Sequence, residues 1–224
     1  MELEVIRIAL AVSMLGIACI SDIRKREISD VIWMAFGTIA VILIPFSQDI
    51  TEDLIKTGIA LIVAPIVIII WRFGLFGGAD AFALIVLAGL APSVTLSNNT
   101  VTPFTTLTNA VLLSIIPMIV NLSRNSILLA RGHDIFQGFN ETKSKRILAM
   151  IVGYRAKNPK FGFSLEQHQG NNKKLSLALQ HAEYTEFCNT KDTWITPGIP
   201  YMIFIAVGFV IQLFYGDILL RFWT

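Results

Sequence analysis

The stretch GLFGGADAFALIVLAGLAP, Gly74 to Pro92, sets two adjacent glycines and an aspartate at the mouth of a long apolar run. Everything after Asp80 in this stretch is uncharged and suits lipid better than water. An ionisable group inside a span costs about 3 kcal/mol on insertion scales and marks a functional position by default. Asp80 therefore raises a question of partnership: whether a second carboxylate lies elsewhere in the chain at the same depth.

The rest of the composition supports a membrane setting. Of 224 residues, 54% are hydrophobic and 15% charged, against about 25% charged in ordinary soluble domains. A net charge of +2 gives no reason to expect a nucleic-acid partner. Cys19 lies in an apolar run and Cys188 in a polar one, so both read as free thiols, and the absence of a CxxC pair argues against structural zinc. The N-terminal run carries Glu2 and Glu4 ahead of its apolar residues and its basic cluster behind them. This is the reverse of a secretory signal, and it reads as a retained first span.

A helix needs roughly 20 mostly apolar residues to cross a bilayer. Six segments approach that length, near Leu3–Ile20, Val31–Pro45, Leu54–Trp71, Ala81–Leu96, Leu107–Leu129 and Ile199–Phe214. Pro65, Pro92 and Pro117 mark kinks within them. From Arg131 to Trp194 the sequence turns polar, with glycines at 132, 138, 153, 162 and 170, and is too long for a simple connector. Alternation in ILAMIVGYRAK and FGFSLEQ predicts strands, and LSLALQHAEYTEF a short amphipathic helix. The expected architecture is a polytopic α-helical membrane protein. It is a six-helix bundle with a small α/β cytoplasmic domain inserted between helices five and six, dividing as 1–130, 131–194 and 195–224.

Basic residues set the orientation. Arg24, Lys25 and Arg26 follow the first span, Arg72 the third, and most of the remaining Lys and Arg the fifth. The second loop, SQDITEDLIKTG, is acidic, and the fourth, PSVTLSNNTVTPF, is uncharged. Odd-numbered loops are therefore expected in the cytoplasm. That places the end of span one and the start of span four on one side, and with them Asp22, in CISDIRKREISD, and Asp80. Two carboxylates a few Å apart share one proton. One then serves as general base on a water while the other donates to the carbonyl under attack, which is peptide hydrolysis with no metal and no cofactor. Gly77 and Gly78 would let an extended peptide approach, or simply let the chain turn. Each aspartate alone also reads as a helix N-cap.

The pair resembles the signature of the intramembrane aspartyl proteases with a Gly-x-Gly-Asp motif, the preflagellin and type IV prepilin peptidases. DIRKREISDVIW is similar to their first-aspartate loop, FGGADAFALI to their second, and TPGIPYMIF, Thr196 to Phe204, to the entry of their last helix. The resemblance implies Asp22 and Asp80 as catalytic residues and an archaeal plasma-membrane peptidase with its site facing the cytoplasm. The implied substrates are membrane-anchored preflagellin or pilin-like precursors, cut between a short basic leader and an apolar helix. Gly77, Gly78 and Ala79 would then line the substrate, with Glu27 and Asp30 receiving the leader or capping the second helix. Three departures stand out. Ala79 replaces the glycine before the aspartate, Phe82 stands where bacterial relatives often carry Lys or His, and their cysteine-rich insertion is missing. Peptidase activity without methyl transfer is the expectation.

Other signals are weaker. His133, His168 and His181 show no metal-ligand spacing. Asn98-Asn99-Thr100 is a glycosylation-type sequon. Arg24-Lys25-Arg26 reads as a topology anchor beside anionic lipid, within reach of Asp22. Lys173-Lys174 reads as a solvated pair, and Trp33, Trp71, Trp194 and Trp223 as interface belt residues. Two competing readings remain open: a proton-coupled small transporter with Asp22 and Asp80 as relay groups, and a non-catalytic assembly scaffold. The sequence is silent on oligomeric state.

Overall fold

A computed structural model of the chain describes residues 2–96, 100–169, 172–177 and 185–221. The described chain is mostly helical with a small sheet region. In order it forms α1 (Glu2–Lys25), α2 (Asp30–Leu43), α3 (Ile50–Ala60), α4 (Val63–Arg72), α5 (Gly78–Leu90), α6 (Thr105–Leu113), α7 (Ile115–Ala130) and α8 (Lys143–Val152). Strands β1 (Tyr154–Ala156), β2 (Gly162–Ser164), β3 (Glu166–Gln169), β4 (Asn172–Leu175) and β5 (Thr193–Pro197) follow, then α9 (Tyr201–Tyr215) and α10 (Ile218–Arg221).

Among the described residues, three helical stretches are long and apolar enough to cross a membrane: Glu2–Lys25, Ile50–Arg72 and Thr105–Ala130. Three shorter apolar stretches are Asp30–Phe46, Gly78–Leu90 and Tyr201–Tyr215. Many of their side chains point outward, Val41 at 65%, Ile59 at 47% and Ile119 at 57% exposure among them. So much exposed aliphatic surface suits lipid, not water.

The prolines break these stretches where backbone chemistry requires. A proline removes the bond to the carbonyl four residues back and crowds it. Four residues before Pro117 is Leu113, where α6 stops; four before Pro65 is Leu61, where α3 gives way to α4. Pro92 follows the α5 C-cap Ala91.

The chain divides into two compact units, Met1–Leu113 with Pro200–Thr224, and Ser114–Ile199. In the first, α5 packs against α1, α2, α4 and α9, and α9 packs closely on α6. The core joins Met14, Leu15 and Ala18 of α1, Leu84 and Leu87 of α5, and Ile205 and Phe209 of α9. Close approach of α6 and α9 depends on Gly208, where an added Cβ would lie 2.9 Å from the Thr106 carbonyl oxygen. Polar groups buried along this contact are satisfied by one another. Asn109 Nδ2 donates to the Gly208 and Gly216 carbonyls at 3.2 and 3.0 Å. Asp217 accepts from the Thr105 and Thr108 hydroxyls, both at 3.1 Å.

In the second unit, β5 is the centre of a three-stranded antiparallel sheet, order β1-β5-β2, beside a β3-β4 hairpin. Gly153 and Gly162 lie against β5, where an added Cβ would meet the Ile195 carbonyl oxygen and the Ile195 Cδ1 respectively.

Several expectations are corrected here. ILAMIV is not a strand but the body of α8, started by the Thr142 side chain accepting from Lys145 N–H; only YRA beyond it is extended. Trp194 is no belt residue. It is fully buried in the second unit, stacked on Phe136 at 4.9 Å and donating Nε1–H to the Ile135 carbonyl at 2.9 Å. Trp33 too is buried, in the first unit's core. Lys173 bridges to Glu166 at 3.1 Å and is thus not merely solvated. The Asn98-Asn99 sequon, His181, Trp223, the His168 side chain and the helix expected within LSLALQHAEYTEF lie outside the described residues.

Candidate active site

Asp22 sits in the last turn of α1, which Arg26 ends in the left-handed region at φ 58°. The loop beyond is closed by the Ser21 hydroxyl donating to the Glu27 carbonyl at 2.8 Å. Ser29 is the N-cap of α2, its side chain accepting from Val31 N–H. Capping of α2 thus falls to Ser29 and not to Glu27 or Asp30, whose side chains are both exposed.

Asp80 is reached from the other direction. Gly74, at φ 72°, turns the chain out of α4, and glycine alone adopts that geometry without cost. Gly77 then caps α5, and Asp80 Oδ2 accepts the Gly77 N–H at 3.0 Å. Asp80 therefore fills the capping role and is buried at 8% exposure while doing so. One carboxylate oxygen is thereby engaged with the backbone. Gly77 has an ordinary φ of −77°, so its backbone needs no glycine. Ala79 is inside the helix, where alanine is the best former; the missing third glycine costs the fold nothing. Phe82 turns away toward Trp71, with ring centroids 6.0 Å apart.

α9 completes the neighbourhood. Its second residue, Met202, turns its backbone toward α1 twice: the N–H acts on the Asp22 carboxylate, and the carbonyl accepts from Cys19 Sγ at 3.3 Å. Beside it Tyr201 stacks on Phe76, three residues before Ala79, at 5.7 Å and 17°. Asp22 and Asp80 stand close enough for their charges to act on each other, and both act on the Cys19 sulfur. The Arg26 guanidinium also acts on Asp22. The two aspartates, 58 positions apart in sequence, are thus neighbours, with Gly77, Gly78 and Ala79 on the turn that presents one of them. Glu27 and Asp30 lie on the loop beyond Asp22. Cys19 escaped sequence reasoning; its only signal was a position one helical turn before Asp22.

Comparison with known proteins meets this geometry. The model of the type IV leader peptidase family matches residues 9–120, which include both aspartates. This chain belongs to that family. A second model, the type II C-terminus of archaeal A24 peptidases, matches residues 145–218, from α8 to α10. Among curated relatives, a preflagellin peptidase of Methanocaldococcus jannaschii is 25% identical over 215 residues, covering 90% of each chain. That of Methanococcus voltae is 27% identical, covering 94% of this chain and 96% of the relative. That of Methanococcus maripaludis is 25% identical, covering 92% and 93%. The family member described here is accordingly a peptidase, and its apolar helices make it a membrane protein.

Proposed function

We propose that this leader peptidase is an aspartyl endopeptidase of the membrane, with Asp22 and Asp80 as its acid–base pair. Its substrates are preflagellin or pilin-like precursors, from which it removes the short basic leader. The observation that carries this reading is the convergence of the α1 C-terminus and the α5 N-terminus, which makes neighbours of two carboxylates otherwise far apart. The relatives' printed names supply the substrate class.

In the proposed reaction the ionised aspartate takes a proton from water as the oxygen attacks the scissile carbonyl. The protonated partner gives its proton to that carbonyl oxygen. As the intermediate collapses, the proton gained by the base passes to the departing amine and one hydroxyl of the intermediate returns its proton to the partner aspartate, restoring the pair. The mechanism requires no metal. The Gly77–Gly78–Ala79 turn receives the extended segment of the substrate, since its small side chains permit backbone approach. Glu27 and Asp30, exposed beyond Asp22, meet the basic leader on this reading. Six membrane-crossing helices, with 131–194 inserted before the last and the site on the cytoplasmic side, fit the distribution of Arg and Lys. Cutting there prepares a subunit whose apolar helix remains in the membrane.

The test is cleavage of a purified precursor by the wild-type chain, Asp22→Asn and Asp80→Asn, each with and without a chelator. Loss in both variants with indifference to chelation is expected. Full activity in either variant removes that aspartate from the mechanism. The relay reading has no support among the matched relatives, which are peptidases.

A further inference from the structure

Trp33 carries a polar atom that the fold leaves unused. The residue is 5% exposed and lies in the first unit's core with Ala18 of α1 and Ala81 of α5. Its Nε1–H nevertheless has no hydrogen-bond partner among the described residues. An indole N–H can only donate, and burying it unpaired destabilises a fold where an apolar ring would not. A buried tryptophan usually finds an acceptor, as Trp194 does in the Ile135 carbonyl. An unpaired buried donor therefore calls for a reason.

The level of Trp33 supplies one. α2 and α5 run parallel in constant register. A Cβ added at Gly37 would lie 3.9 Å from Val86 Cγ2, and one added at Gly89 would lie 3.9 Å from Ala40 Cβ. The same offset, carried back one turn, sets Trp33 level with Phe82 and Val31 level with Asp80. Side chains on a helix lean toward its N-terminus, so the Trp33 indole reaches back from the level of Phe82 toward that of Asp80. α2 packs chiefly on α5 and also on α1, the two helices that carry the aspartates. Buried at this level, the indole stands against the elements that bear Asp80 and Asp22.

A donor is wanted there. A peptide drawn out of helical form in apolar surroundings must find new partners for its backbone carbonyls. The Gly77 N–H donates to Asp80 and the Met202 N–H acts on Asp22, so both already serve the aspartates. Arg7 Nε and Thr57 Oγ1 are also buried without partners. They belong with the Arg7–Asp53 pair, about 22 Å along α1 from Asp22. We propose that Trp33 is a substrate-binding residue, whose Nε1–H donates to a backbone carbonyl of the extended precursor segment beside the scissile bond. This deepens the proposed function and rests on its reading of Asp22 and Asp80 as the hydrolytic pair.

The test removes the N–H and keeps the shape. Trp33 is replaced in the full chain by genetically encoded benzothienylalanine, the sulfur isostere of tryptophan, and in a second variant by phenylalanine (Trp33→Phe). Precursor cleavage is read as kcat/KM, and stability as unfolding in sodium dodecyl sulfate followed by far-ultraviolet circular dichroism. The isostere should lower kcat/KM about tenfold, because a substrate carbonyl is left unpaired. Its stability should equal or exceed that of the wild type, because the free chain no longer buries an unpaired donor. Trp33→Phe should slow cleavage as well. Cleavage at the wild-type rate with the isostere would overturn the proposal, even if Trp33→Phe were slow, since shape alone would then matter. Slowing that accompanies lost stability in both variants would overturn it too, by giving the indole a packing role. Asp22→Asn is assayed beside them. Full activity in that variant refutes the acid–base pair, whereas wild-type cleavage with the isostere refutes the Trp33 contact alone.

Discussion

Replacing Arg7 or Asp53 singly should be among the most damaging changes to the first unit. Arg7 Nη2 donates to Asp53 Oδ2 at 2.6 Å, joining α1 to α3, with side-chain exposures of 4% and 11%. Neither charge has water to fall back on, so removing one partner strands the other. Breaking a buried pair in this way costs about 3–5 kcal/mol, or roughly two to four powers of ten in the unfolding equilibrium. Replacing both by apolar groups of similar size removes the stranded charge, and the double variant should be more stable than either single one. The assay is reversible unfolding in mixed micelles of rising sodium dodecyl sulfate content, followed by tryptophan fluorescence, for Arg7→Met, Asp53→Leu and their combination. The exposed Lys56–Glu52 pair, at 53% and 61%, is the internal control; Lys56→Ala should change stability by no more than about 0.5 kcal/mol. Single variants within about 1 kcal/mol of wild type, or a double variant worse than both, would refute the buried-pair argument.

Other outcomes follow from local geometry. Gly208→Ala should destabilise the α6–α9 contact by about 1–3 kcal/mol, since its Cβ meets backbone at 2.9 and 3.0 Å. Gly16→Ala, whose Cβ meets nothing within 4 Å, should be neutral or stabilising in the same unfolding assay. Burial pushes the Glu141 carboxyl up, but the Leu175 N–H and Lys145 outweigh it and hold the group below its ordinary 4.5. A depressed carboxyl stabilises the fold above its unfolded value and loses that contribution as pH falls through its folded one. Thermal midpoints should therefore fall on acidification below about pH 4.5, and Glu141→Gln should flatten that part of the decline. Alkylation of Cys19 by a maleimide should block precursor cleavage, because its sulfur lies within electrostatic reach of both aspartates; Cys19→Ser should cleave and resist the reagent.

The sequence shows the candidate pair clearly because sidedness is a one-dimensional property. Loop charges alternate along the chain, and they lead to the expectation that Asp22 and Asp80 share one side without any knowledge of packing. Cys19 was not legible, because its place depends on Met202 approaching from α9, 183 positions away. The Arg7–Asp53 pair was hidden for the same reason. Trp194 misled because a tryptophan near an apolar span suits an interface belt and a domain core equally well; only the Ile135 carbonyl and the Phe136 ring decide. ILAMIV misled because a short apolar run carries no clear period, while the signal that starts its helix, Thr142, lies outside it.

The central claim is that Asp22 and Asp80 act as one unit, and the most direct measurement is a mutant cycle on cleavage rate. Groups that work together are grossly non-additive. Asp22→Asn, Asp80→Asn and the double variant should therefore show the same residual single-turnover rate, all with the precursor still bound. Losses that multiply, with the double variant slower than either single one by the product of their effects, would contradict it.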